Sequence, residues 1–323
     1  MSPPGILIVG AGMAGLTAAR RLGEQGIGTV ILDKGRAPGG RMATRTVGEA
    51  RFDHGAQHFG ARSSEFRAEL EVWAGESLVR EWFRSGNRTG PGRGFEPRYV
   101  GVGGMRRIPE ALAAGLDVRT AVTVDRLMAA DGSVAAVAGE EVVAVGTAAI
   151  LTPPVPQTRS LLEASGAVLP ASIGEMLDRV EYDPCLAVMA RLDGPAGLPD
   201  GHRSFRDGPI AWIADNHDKG VSAVPAVTIH AAPGFSVEHL EEAPERWSGV
   251  ICDAATPYLE GRVVGATPHR WRYAQPRTTL DVGAVGFHAG FPVVLAGEVF
   301  AGARVEGAFA SGVAAASLVL ESL

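Results

Sequence analysis

Residues 5–9, GILIV, are apolar and β-branched with no alternation, which predicts a strand buried on both faces of a parallel sheet. In 13–25, MAGLTAARRLGEQ, the residues Leu16, Ala19 and Leu22 recur at helical spacing, and Gly26 supplies a C-terminal stop. Residues 28–33, GTVILD, read as a second buried strand. Further on, 99–114 reads as a short strand running through GVGG into a helix. Residues 118–151 read as a β-meander that turns at ADGS and ends in TAAILTPPVPQ, a buried strand stopped by prolines. The run FPVVLAG at 291–297 reads as a strand, followed by a small-residue helix from about 305. Between them, 157–280 carries Trp212, Trp247, Trp271, Tyr182, Tyr273 and Phe205, the aromatic bulk expected of a substrate chamber.

This order predicts an α/β chain. A Rossmann-like dinucleotide domain is discontinuous over 1–75, 99–155 and 281–323. An inserted α+β substrate domain, on a mixed or antiparallel sheet, covers 76–98 and 156–280.

Between the first strand and the first helix stand Gly10, Gly12 and Gly15. The first permits a tight turn, the second close approach to a pyrophosphate, and the third close helix–strand packing, with the helix N-terminus facing the phosphates. Asp33 ends the second strand, where an acid accepts hydrogen bonds from ribose hydroxyls. That chemistry suits the AMP half of either NAD or FAD, and the loop alone does not choose between them.

Composition narrows the function classes. The 323 residues suffice for two domains. A net charge of −6 argues against a broad cationic surface for nucleic acid or anionic lipid. Cys185 and Cys252 form no close pair, which argues against a disulfide-cycling flavoprotein and a zinc site; no metal ligands are expected. The apolar run AFASGVAAASLVL at 308–320 falls short of the roughly 18 residues of a membrane span. With a first strand beginning by residue 5, the expected location is the cytoplasm, and the arginine-, alanine- and glycine-rich composition suggests a bacterial source.

The stretch GRAPGGRMATR at 35–45 places Gly39, Gly40 and Arg41 after the second strand. Two glycines permit close backbone approach, and the guanidinium can fork onto a pyrophosphate. This resembles the second fingerprint of the amine-oxidase-like FAD family. FDHGAQHF at 52–59 resembles that family's flavin-lining segment, with Gly55 and Ala56 making room for the ring system and Gln57 beside them. GVGGMRRIPEAL at 101–112 and LAGEVFAGARVEGAFASG at 295–312 continue the resemblance. It implies tightly bound, non-covalent FAD. Gly297 and Glu298 would reach the ribityl chain, although the family usually has Asp at the Glu298 position. The backbone amides of Val305 and Glu306 would open a helix toward the pyrimidine end of the flavin, where a helix N-terminus favours the anionic reduced form. The other cofactor contacts implied are Ala11, Met13, Ala14, Lys34 and Met42, with Val122, Thr152 and Ala308.

Within that family, YDPCLAVMARL at 182–192, WIADNHDKG at 212–220, VTIHAAPGFS at 227–236 and HRWRYAQP at 269–276 resemble the renalase family. The resemblance implies oxidation of dihydronicotinamide dinucleotides that carry hydride at ring position 2 or 6. Hydride would pass to flavin N5, NAD(P)+ would be released, and O2 or another acceptor would reoxidise the flavin. Losing hydride restores an aromatic pyridinium, so the chemistry needs a flat stacking chamber more than a strong base.

The site residues it implies are His58 and Trp212 as chamber walls, Asn216 and His230 as polar residues near the substrate ring, and Trp271 with Arg272 from the best-matched motif. Arg272 meets either a substrate phosphate or carboxamide or a buried acid of the protein. Tyr273 stands where relatives often have His. The other histidines, His202, His217, His239, His269 and His288, read as surface or core. The glycine- and arginine-rich segment 84–98 reads either as a loop over the pocket or as a solvated loop.

The only lysines are Lys34 and Lys219. Many amine oxidases of this fold hold a lysine near flavin N5 through a water. Lys219 lies in the polar turn NHDKG and reads as solvated, which counts against an amine substrate. Two alternatives stay open: an FAD amine oxidase or desaturase of a small molecule, and a flavin-binding redox module without turnover.

Overall fold

A computed structural model describes residues 5–86, 95–130 and 132–322. The chain divides into two compact units, Met1–Gly40, Pro109–Glu181 and Pro276–Leu323 in the first, Arg41–Ile108 and Tyr182–Gln275 in the second.

The first unit is built on a six-stranded sheet. Ile6–Val9 sits at its centre, flanked in parallel by Thr29–Asp33 and Ala149–Leu151. Asp117–Thr120 and Pro292–Leu295 extend the parallel array, and Val285–His288 closes it antiparallel. The central strand is fully buried, as its unbroken apolar run requires. The helix Met13–Glu24 follows it, and its buried face includes Leu16, Ala19 and Leu22. Against this helix packs the last one, Val305–Ser322. A Cβ on Gly312 would lie 2.4 Å from the Ala14 carbonyl oxygen, so only glycine permits this approach. By length and composition alone Val305–Ser322 is apolar enough to cross a membrane; Phe309, Gly312, Ala315, Ala316 and Val319 are buried within the fold.

The second unit holds a five-stranded sheet in the order His202–Ser204, Ile210–Asp215, Ala226–Ala231, Tyr182–Leu192, Val263–Pro276. The pairings recorded among the first four strands are antiparallel. The helix Pro244–Ala255 buries Trp247 and Ile251 in its core. Two hairpins, Thr44–Val47 with Ala50–Asp53 and Val79–Ser85 with Glu96–Gly101, belong to the same unit.

The compact units depart from the expected boundaries in four places, one of them 276–280, which join the first unit. Residues 41–75 and 99–108 join the second unit, because Ala50 and Phe52 bury themselves against Met189 and Ala226. Residues 156–181 join the first, where the helix Val155–Ala164 packs on Arg126–Ala130 and Ser165 Oγ accepts the Leu127 N–H at 2.8 Å. Only the middle of the expected meander is one. Arg126–Ala130, Ser133–Ala138 and Glu141–Gly146 form a three-stranded antiparallel sheet, while the flanking strands join the parallel sheet. Of the segment 84–98, residues 87–94 lie outside the described residues.

Candidate active site

In the first unit the glycine loop forms a cradle. Gly10 has φ +107° and a Cβ there would strike Thr152 Oγ1 at 2.3 Å; a Cβ on Gly15 would lie 2.1 Å from the Gly10 carbonyl oxygen. Gly12 caps the helix Met13–Glu24 and offers no side chain to its first-turn N–H groups. A Cβ on Gly12 would meet nothing within 4 Å, so open space lies beside donors without a side-chain cap. Asp33 stiffens the loop from below: its carboxylate accepts the Ala11 N–H at 2.6 Å and the Gly35 N–H at 2.6 Å. Each oxygen retains a lone pair for a ribose hydroxyl. The Gly39 N–H donates to the Ala11 carbonyl at 2.8 Å, and Gly40, at φ +52°, lies beside Gly12.

These features fit the adenosine diphosphate half of FAD. Ala11, Met13 and Ala14 belong to the loop and the helix start. The Val122 N–H donates to the Asp33 carbonyl. Lys34 extends to Gln157 Oε1 at 3.1 Å. Thr152 acts through the loop: its hydroxyl hydrogen-bonds to the Val9 and Gly10 carbonyls. Gly297 has φ +141° and its N–H donates to the buried Ser311 hydroxyl, Glu298 is buried, and the helix holding Glu306 and Ala308 begins at Val305 as expected.

The second unit is organised around a buried ion pair. Asp53 and Lys219 are both fully buried, with Nζ 3.0 Å from Oδ2. Asp53 Oδ1 accepts from Thr44 Oγ1 at 2.6 Å and from the Met105 N–H at 2.9 Å. Burial pulls the Lys219 ammonium below its ordinary pKa, and the Asp53 charge opposes that pull. The expectation that Lys219 is solvated is therefore wrong: the turn folds inward because a carboxylate waits there to neutralise it.

Around this pair the backbone carbonyls of 53–55 are saturated with side-chain donors. Gln57 Oε1 accepts from Lys219 at 3.3 Å, and its Nε2 donates to the Asp53 carbonyl at 2.6 Å and the Gly55 carbonyl at 3.1 Å. Its amide is spent inside the protein, against the expectation of a cofactor contact. Asn216 needs the same correction. It is fully buried, accepts the Asp53 N–H at 3.0 Å and donates to Thr228 Oγ1 at 2.9 Å, so it pins the hairpin to the sheet. The His54 carbonyl receives the Trp271 indole N–H at 2.8 Å and lies 3.2 Å from His230 Nε2. A carbonyl only accepts, so that bond makes Nε2 the protonated nitrogen of His230.

A wall of rings surrounds this core. His54 stacks on Trp271 at 5.2 Å and meets His269 edge-on at 4.6 Å. His58 touches Phe83 and Trp212, and His202 stacks on Trp212 at 4.7 Å. The imidazoles are held neutral. Burial first, then the charges of His269 and Arg45, push His54 down to about 3. Burial, then Lys219, push His58 down to about 3. Burial pushes His230 down to about 4 against its bond to the His54 carbonyl. His269 is lowered by burial and then by Arg45.

Arg272 is turned away from this wall. It is exposed and pairs with Glu241, itself on the surface, so the acid it meets is not a buried one. Arg41 Nη1 reaches the Tyr273 and Ala274 carbonyls at 3.3 and 3.4 Å, Met42 is buried, and the Ala56 N–H donates to the Arg41 carbonyl. Gly55 lets Trp271 pack: a Cβ there would lie 3.2 Å from its ring. Cys185 and Cys252 are free thiols, and burial raises both.

Sequence reasoning missed Asp53, His54, Lys219, His202 and His269. The signal available was FDH beside GAQHF, an acid in an otherwise apolar strand end.

Two family models match the chain. That of an NAD(P)-binding Rossmann-like domain covers residues 8–72, and that of flavin-containing amine oxidoreductases covers residues 71–320. The chain belongs to the flavin-containing amine oxidoreductase family. Members of that family are flavin-dependent oxidoreductases, and the cradle of the first unit fits FAD. Over 117 residues it is 31% identical to a hydroxyneurosporene desaturase of Rubrivivax gelatinosus, 33% of this chain and 21% of the relative. Over 47 residues it is 47% identical to lysine-specific histone demethylase 1 homolog 1 of Arabidopsis thaliana, 15% of this chain and 6% of the relative. The matches thus span only a small part of these curated relatives. Among solved structures, the cyclohexylamine oxidase of Brevibacterium oxydans IH-35A superposes with a TM-score of 0.74 at 12% identity, covering 99% of both chains. Wild-type putrescine oxidase bound to putrescine gives 0.71 at 14% identity, again over 99% of both. At these identities the likeness is one of fold.

Proposed function

We propose that this family member oxidises dihydronicotinamide dinucleotides that carry hydride at ring position 2 or 6, releasing NAD(P)+. The observation that supports this reading best is the uncharged ring wall. Its imidazoles are held neutral, and its buried carboxylate, Asp53, is already neutralised by Lys219. A protonated amine would find no free buried anion among the described residues of this wall. A flat, neutral dihydropyridine is stacked there without that cost. His58 Nδ1 and Trp212 Nε1 are buried without partners among the described residues, and can supply an acceptor and a donor to a carboxamide.

When bound, FAD supplies the two-electron acceptor. The chain's own part is to stack the substrate ring, exclude water and keep its imidazoles unprotonated. No side chain need remove a proton, since losing hydride leaves an aromatic pyridinium.

Amine oxidation or desaturation is the second reading. The burial of Lys219 removes the lysine argument against it. Anaerobic mixing of the yellow protein with 2- and 6-dihydroNAD, ordinary NADH and a panel of amines separates the two. Rapid bleaching of the visible flavin band by an isomer and not by amines is expected. Bleaching by amines alone would overturn the proposal, and bleaching by neither would favour a redox module without turnover.

A further inference from the structure

The second unit carries a cavity outside the ion-pair core. It has a volume of about 360 Å³ and is lined by Arg80, Trp82, Phe83, Arg84, Asp200 and Asp218. Phe83 belongs both to this cavity and to the ring wall, with its centroid 5.1 Å from His58 and 6.1 Å from Trp212. A ligand whose ring reaches that wall therefore has a second compartment next to it.

The cavity is constructed by its backbone. Asp200 and Gly201 are both left-handed, at φ +56° and +69°. A Cβ on Gly201 would lie 2.0 Å from Asp218 Oδ2, and its left-handed backbone favours glycine where this turn closes on Asp218. Asp218 Oδ2 in turn accepts the Trp82 indole N–H at 3.0 Å, which fixes the indole, and Lys219 Nζ sits 5.0 Å from its centroid. The Asp200 carbonyl lies 3.0 Å from His202 Nδ1.

Its polar groups are unequal. Arg80 hydrogen-bonds to two neutral carbonyls, those of Glu81 and Asp218, and forms no ion pair among the described residues. Arg84 is already held by the Glu81 carboxylate at 2.7 and 3.0 Å. The Asp200 carboxylate has no partner among the described residues. What remains is the Arg80 guanidinium, the Asp200 carboxylate, the Asp218 carboxylate held by the neutral Trp82 indole, and that indole beside a phenyl ring. A guanidinium takes a phosphate, a carboxylate takes a ribose diol, and the flat rings take a purine.

We propose that this cavity binds the adenylate half of a dinucleotide substrate, Arg80 holding a phosphate and Asp200 the ribose hydroxyls. The proposal rests on the dihydronicotinamide reading for its substrate, but its own test does not need turnover.

The probe is ADP-ribose, titrated into the oxidised holoenzyme by calorimetry. Saturable binding is expected, weakened about tenfold by Arg80→Gln and by Asp200→Asn, substitutions that keep size and, for Asn, tolerance of the left-handed backbone. The ratio of kcat/KM for the dihydro dinucleotide to that for the dihydro mononucleotide should fall in both variants. Absence of ADP-ribose binding, or binding indifferent to both substitutions, overturns the cavity assignment, even if dihydronicotinamides are oxidised. Arg80- and Asp200-dependent binding without any oxidation of dihydronicotinamides keeps the cavity and overturns the substrate reading. Flavin absorbance of each variant reports that it is folded and loaded.

Discussion

Lys219 Nζ lies 3.0 Å from Asp53 Oδ2, and neither side chain reaches solvent. Two distant polar segments are joined by this contact, and four other side chains arrange themselves around it: Thr44, Gln57, Asn216 and Thr228. Removing one partner leaves a buried charge alone. Asp53→Asn and Lys219→Met should each cost about 3–5 kcal/mol of stability, and the double substitution clearly less than their sum. Urea unfolding of the four proteins measures the coupling. Simple additivity would show that the two charges do not depend on each other.

Acid should destabilise the protein well above the carboxylate range. His54 and His58 are pushed down to about 3 and His230 to about 4, chiefly by burial, from an ordinary value of 6.5. The unfolded chain therefore binds protons first as pH falls. Each histidine's contribution is fully present above about pH 6.5 and is lost as pH drops toward its folded value, by up to about 1.4 kcal/mol per pH unit. Urea midpoints between pH 7 and pH 4.5 should fall steadily, and a flat profile would contradict the buried neutral imidazoles.

Asp33 should govern flavin retention. Asp33→Ala removes the acceptor for two loop N–H groups and for the expected ribose contact. FAD affinity should drop about tenfold or more, read as the flavin-to-protein ratio after gel filtration. Full retention would place the ribose elsewhere.

Trp271 and Arg272 are neighbours on one strand with opposite surroundings, as alternation along a strand requires. Trp271→Phe removes the indole N–H bond to the His54 carbonyl and should cost about 1 kcal/mol together with a measurable loss of turnover. Arg272→Ala breaks an exposed pair and should change stability by no more than about 0.5 kcal/mol, with turnover near wild type. A larger loss in Arg272→Ala would reverse the assignment.

Local pattern alone determined the cradle. The apolar run, the three glycines, the helix and Asp33 all lie within 5–33, where neighbours in sequence are neighbours in space and each glycine answers a backbone demand. The helix start at Val305 was legible for the same reason. The internal side-chain contacts of the second unit were not. NHDKG looks solvated in sequence because four of its five residues are polar, and nothing nearby announces Asp53. Only the pairing of Ile210–Asp215 with Ala226–Ala231, and the docking of the Ala50–Asp53 hairpin on that sheet, brings carboxylate and ammonium together. The same long-range packing turned Asn216 and Gln57 into internal fasteners and His202 and His269 into ring wall. Sequence sets which groups a chain carries. Whether a charge is solvated or buried depends on partners that tertiary contact alone supplies.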